Sequence, residues 1–120
     1  MITQDELDAV FHALAHAHRR RMLDLVKQHP GWGVGQLAQE FDVSRIAVMN
    51  HLNVLESAGL ILSRQDGRTR RLYLNAVPIQ LIHDRWTSEY SAHWARRIAD
   101  IKYAAEAVGK SRRGRHGKVE

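Results

Sequence analysis

The chain has no cysteine among its 120 residues. That excludes disulfides, a thiolate metal site, a thiol nucleophile and an iron–sulfur cluster. No apolar run approaches the ~20 residues a transmembrane helix needs. The N-terminus, Met1-Ile2-Thr3-Gln4-Asp5-Glu6, lacks the basic and apolar regions of a signal peptide. The expectation is a soluble, cytoplasmic protein with no membrane partner. No Gly-x-Ser-x-Gly, phosphate loop or His-Glu-x-x-His occurs, so nothing points to an enzyme. Proline is scarce, and both copies punctuate: Pro30 follows one helix and Pro78 opens another.

What is present is one small domain's worth of chain, 44% hydrophobic and 26% charged, with a net charge of +5. The distribution of that charge is more telling than its size. Residues 1–63 carry five Lys/Arg against seven Asp/Glu. Residues 64–71 carry four Arg against one Asp, and residues 109–120 carry five basic residues against Glu120. Positive charge concentrated in one short segment and one tail suggests a polyanion partner.

Apolar periodicity predicts four helices first. Leu7, Val10, Phe11 and Leu14 stripe a helix over 5–15. Met22, Leu23, Leu25 and Val26 stripe a second over 18–28, and His29-Pro30-Gly31 stops it. A short third helix spans 34–41. Ser44 is an N-cap for a fourth, 45–58, with Val48, Leu52 and Leu55 inward and Gly59 as its left-handed stop. The period then changes. Residues 60–64 and 70–74 read as strands around the turn Asp66-Gly67-Arg68. A long fifth helix runs from 78 to about 108 with Ile79, Ile82, Trp86, Tyr90, Trp94 and Ile98 on its stripe. Residues 109–120 read as a basic, disordered tail. The fold class is mainly α with a small β-hairpin, a winged helix-turn-helix of order α-α-α-α-β-β-α.

A short helix, a tight turn and a Ser-capped helix form a helix-turn-helix, whose second helix fits the major groove of double-stranded DNA. Its outward face carries Arg45, Ile46, Met49, Asn50 and Asn53 after the cap Ser44. Arginine pairs with guanine, asparagine with adenine, and apolar side chains touch thymine methyls. The hairpin is then a wing whose Arg68 and Arg70, with Arg64 behind them, reach phosphates or a minor groove. A protein-binding winged helix with weak DNA affinity is the competing reading.

The runs Ala13-Leu14-Ala15…Arg19-Arg20-Arg21-Met22-Leu23, Val34-Gly35-Gln36-Leu37-Ala38 and Val43 to Leu60, continued by Asp66-Gly67-Arg68…Tyr73-Leu74, resemble the ArsR/SmtB winged-helix repressors. The match is in motif detail over about 7–75 and in architecture only over 78–105. It implies a homodimeric transcriptional repressor. The first and last helices would form the seam, through Leu7, Val10, Phe11, Leu14, Ile82, Trp86, Tyr90, Trp94 and Ile98. A two-fold dimer favours an inverted-repeat operator, with recognition helices ~34–36 Å apart. His51 follows the family pattern and is expected to contact a phosphate or pack within the motif, not to bind metal.

Many relatives respond to metal, but the family's two familiar sites lack their ligands here. Gly33 and Gly35 stand where the third-helix cysteines would be. His83-Asp84 are adjacent, and Arg96 follows His93 where an acid is needed. The resemblance therefore points to a branch that senses no metal, with no cofactor and an unidentified inducer. One departure stands out: His16-Ala17-His18 replaces the family's usual Asp-Pro-Thr. His12 and His16, four apart on a helix with His18 nearby, keep a Zn- or Ni-responsive repressor open as the alternative.

Overall fold

The computed structural model describes residues 2–87 and 92–116, with side chains described through residue 109 apart from 92 and 93. Elements follow in the order α1 (Gln4–Leu14), α2 (Ala17–Gln28), α3 (Val34–Ala38), α4 (Arg45–Ser57), β1 (Ile61–Asp66), β2 (Thr69–Leu74), α5 (Val77–Thr87) and α6 (Ala92–His116). No helix among the described residues is long and apolar enough to cross a membrane.

Helix starts and stops have local causes. Thr3 caps α1, with its hydroxyl accepting from the Glu6 N–H while Glu6 answers the Thr3 N–H, a reciprocal capping box. Ser44 Oγ accepts from the Ala47 N–H at 3.1 Å and starts α4. Gly59, at φ +77°, ends α4 in the left-handed region that costs glycine least. The cap of α2 is unusual: His16 Nδ1 accepts the His18 N–H at 3.1 Å.

The core gathers one face from each of the first four helices and from the hairpin. Met22, Leu37, Leu52, Leu55, Leu60, Ile61 and Leu72 are fully buried. The strands pair antiparallel from Ile61↔Leu74 to Asp66↔Thr69, closed by Gly67 at φ +61° and Arg68. The loop before α3 adds a short third edge: Gly31 N–H donates to the Leu72 carbonyl, and Leu72 N–H donates back to that of Trp32. Gly33 lies so close to the hairpin that a Cβ there would sit 2.9 Å from Thr69 Cγ2. This seats the hairpin against α3 and makes the architecture a winged helix-turn-helix.

Two expectations change. Leu7 and Val10 belong to the chain's own interior, 5% and 1% exposed, rather than to a dimer seam. The face of α1 that meets the domain runs 7, 10, 13, and one helix stripe cannot serve two partners. Phe11 lies off that stripe and is 45% exposed, while Leu14 and Ile82 pack partly on the core. The long last helix expected from 78 is described in two stretches, α5 and α6, on either side of residues 88–91, which with Tyr90 lie outside the described residues. The second is that α6 runs on to His116, past the expected end near 108. Residues 109–116 hold four Lys/Arg, which favour a helix without needing burial, beside Gly109 and Gly114, which do not.

The chain divides into two units, residues 1–85 and 86–120. In the first, Val77, Ile79 and Leu81 leave apolar area exposed on α5. In the second, Trp86, Trp94, Ile98, Ile101 and Tyr103 are each more than half exposed.

Candidate nucleic-acid interface

Burial of Val48, Leu52 and Leu55 fixes the rotation of α4. The opposite stripe, Ile46, Asn50 and Asn53, is thereby turned outward, with Ile46 75% exposed. Ile46 opens that stripe in the first turn of α4. Arg45 and Met49 flank that stripe on the wing side. Together with Gly33, Gly35, Gln36 and Arg68 to Arg71 they line an open crevice of about 610 Å³. Met49 also rests on the core, so its side chain is half-buried. Asn53 sits at the other edge, beside Ala9 and His12 of α1. Ser44 spends its hydroxyl on the cap.

The wing arginines have different fates. Arg68, in the turn, is exposed; Arg64 is exposed too but is not among the residues lining the crevice. Arg70 is ion-paired to Glu56 of α4. Arg71 donates from Nε to Asp66 Oδ2 at 2.8 Å and from its terminus to the Gly31 carbonyl at 3.0 Å. Arg70 and Arg71 thus take different acidic partners, Glu56 of α4 and Asp66 of β1, while both line the crevice. Glu56 was not visible as a partner in the sequence, because the pair spans a helix and a strand.

His51 turns away from the outward stripe, toward the α1–α2 junction. Its ring lies 4.4 Å from that of His16 and 5.7 Å from that of His18. Arg19 donates to His51 Nδ1 at 3.3 Å and also to the carbonyls of Ala13 (2.9 Å) and His12 (3.0 Å). Arg19 is thus a buried cation satisfied by the open end of α1 and by α4. Nothing in the run Arg19-Arg20-Arg21 signals that the first of the three is inside. Desolvation lowers the pKa of His51, helped by His16 and Arg19; desolvation likewise lowers that of His16, helped by Arg19 and His18. Both rings therefore stay neutral further into acid than a free histidine. His16, His18 and His51 bring ligand nitrogens within 4.8 Å of one another; His12 is not in this group.

A capped helix turned outward by its core stripe, beside an arginine-bearing hairpin, defines a DNA-binding regulator of the winged helix-turn-helix class. Comparison with known proteins agrees. A helix-turn-helix domain family matches residues 14–64. An uncharacterized HTH-type transcriptional regulator, YuzN of Bacillus subtilis (strain 168), is 32% identical over 85 residues, 66% of this chain and 92% of that protein. The transcriptional repressor SdpR of the same organism is 31% identical over 74 residues, 62% of this chain and 81% of its own length. An ArsR-like transcriptional regulator from Rhodococcus sp. RHA1 superposes with a TM-score of 0.62 at 33% identity, covering 84% of this chain and 93% of that one. The chain belongs to the ArsR family of transcriptional regulators, and it is a regulator rather than an enzyme.

Proposed function

We propose that the protein is a homodimeric repressor that reads an inverted-repeat operator with α4 in the major groove and the wing on the adjacent backbone. The observation that carries this is the outward stripe Ile46–Asn50, flanked by Arg45, which lines one crevice together with Arg68. Asn50 offers the donor–acceptor pair that adenine matches in the major groove, and Ile46 offers a contact for a thymine methyl. Arg45 stands at the first turn of α4, where helix readers contact base edges or phosphates. Arg68 supplies charge to phosphate or to a minor groove. Asn53 and Arg64 take outer contacts, at the edges of this surface.

The dimer is supported by the apolar area left on α5 and, separately, on α6. Exposed runs of this kind usually mark an interface. Phe11, Trp86, Trp94 and Ile98 remain the seam candidates. SdpR is a transcriptional repressor, and that role is carried over to this chain as part of the proposal.

The test separates base reading from charge. Asn50→Ala should cost ~1–3 kcal/mol on the operator and little on random duplex, whereas Arg68→Ala should weaken both alike. Equal losses for Asn50→Ala on both DNAs would contradict the assignment. In solution the mass should be twice 13.8 kDa at micromolar concentration; a monomer would remove the two-fold operator from the proposal.

A further inference from the structure

The geometry points to a divalent transition-metal site made by His16, His18 and His51, joining the α1–α2 junction to the recognition helix. Three imidazoles from two separate stretches of chain converge there. Their ligand nitrogens lie within 4.8 Å of one another. A zinc ion bonded to nitrogen at ~2.0–2.1 Å holds its ligand nitrogens about 3.4 Å apart. The rings need to close by about an ångström, which small side-chain rotations supply, since none of the three is buried. Three neutral nitrogen donors with no carboxylate suit Zn(II), Ni(II), Co(II) or Cu(II), and they suit Mg(II) or Ca(II) poorly. A fourth position, open to solvent, would hold water.

The hydrogen bonds already present say what the metal must displace. His16 Nδ1 accepts the His18 N–H, and His51 Nδ1 accepts from Arg19. Both rings therefore carry their proton on Nε2 when neutral. A metal on Nδ1 takes the donor's place; a metal on Nε2 forces the opposite tautomer and breaks the same bond. Metal binding and the Arg19–His51 bond are mutually exclusive. Arg19 stays held by two carbonyls, so its charge remains nearby and limits affinity. The site therefore fits a metal that binds reversibly and rewires the support of α4, rather than a permanently held structural ion. Its ligands are not those of the family's two familiar sites, at the positions of Gly33 and Gly35 and of His83-Asp84 and His93. It also does not depend on the DNA reading, because its ligands are independent of the outward stripe.

The test is titration of the untagged full chain with Co(II), followed by visible absorption, and with Zn(II) by competition. One metal per chain is expected, at micromolar or tighter affinity. His18→Gln and His51→Gln should each weaken it tenfold or more, while His12→Gln and His83→Gln leave it within twofold. Circular dichroism checks that each variant is folded. His18→Gln leaves the His16 cap and Arg19 intact, so it keeps the test valid if His51→Gln fails to fold. Wild-type affinity retained in His18→Gln would overturn the site. So would sensitivity to His12→Gln or His83→Gln in place of the expected pair.

Discussion

Removing the Arg19 guanidinium should be among the most damaging single changes in the DNA-binding unit. The perturbation is Arg19→Met, which keeps most of the apolar stem and deletes the charge and donors. Arg19 is 8% exposed and reaches the carbonyls of Ala13 and His12 as well as His51. Those two carbonyls belong to the last turn of α1, where no backbone donor from within the helix is available to Ala13. Hydrogen bonds from a charged donor contribute ~1.5–3 kcal/mol each, and a buried acceptor left bare costs ~1–3 kcal/mol. Part of this is recovered because the variant no longer desolvates a cation. The net loss should be about 2–4 kcal/mol, against a total stability of ~5–15 kcal/mol for a domain of this kind. In a unit of this size that lowers the melting temperature by about 10–25 °C. Urea unfolding followed by circular dichroism measures it. Arg19→Lys, which keeps the charge but not the fork, should recover less than half. A loss below about 0.5 kcal/mol for Arg19→Met would refute the reasoning that this cation organises the junction.

Other outcomes follow from the same geometry. Glu56→Gln frees Arg70 and removes a negative charge beside the crevice, so affinity for random duplex should rise. If Arg70 then reaches a phosphate, the salt slope of binding should steepen by ~0.9; an unchanged slope would mean that Arg70 does not reach DNA. Deleting residues 109–120 removes five basic residues and should weaken binding to all DNA evenly while flattening that slope. An unchanged slope would show that the tail makes no phosphate contact. His16 and His51 have folded-state pKa values below the ordinary 6.5, so the unfolded chain binds more protons in that window. Stability should be fully present above about pH 6.5 and fall as the pH drops below it. The melting temperature of His51→Gln should decline less steeply over that range. Parallel declines would assign the acid sensitivity to other groups.

Helix α4 was legible because its determinants are local. Ser44, the 48–52–55 stripe and Gly59 sit within sixteen residues, and cap, period and stop agree. The hairpin was legible for the same reason, with Gly67 at the turn between two strand-like runs. What could not be read was tertiary. Arg19 looks like any cation on an amphipathic helix until α1 presents its open carbonyls to it. His51 lies 35 residues beyond His16 in sequence, so helical spacing paired His16 with His12 instead. Arg70 looked like a free wing arginine because its partner, Glu56, belongs to another element. Leu7 and Val10 show a different limit: periodicity identifies an apolar stripe but does not say whether the partner is the chain itself or a second copy.

The most direct test of the account is fluorescence anisotropy against DNA from upstream of the protein's own gene, with random duplex as control, at one moderate salt concentration. Specific regulators bind their sites at least ~10³-fold more tightly than other DNA. A preference of that size is predicted here, with two chains per site. Equal affinity for both duplexes across that region would contradict sequence reading by the Ile46–Asn50 stripe at its own promoter.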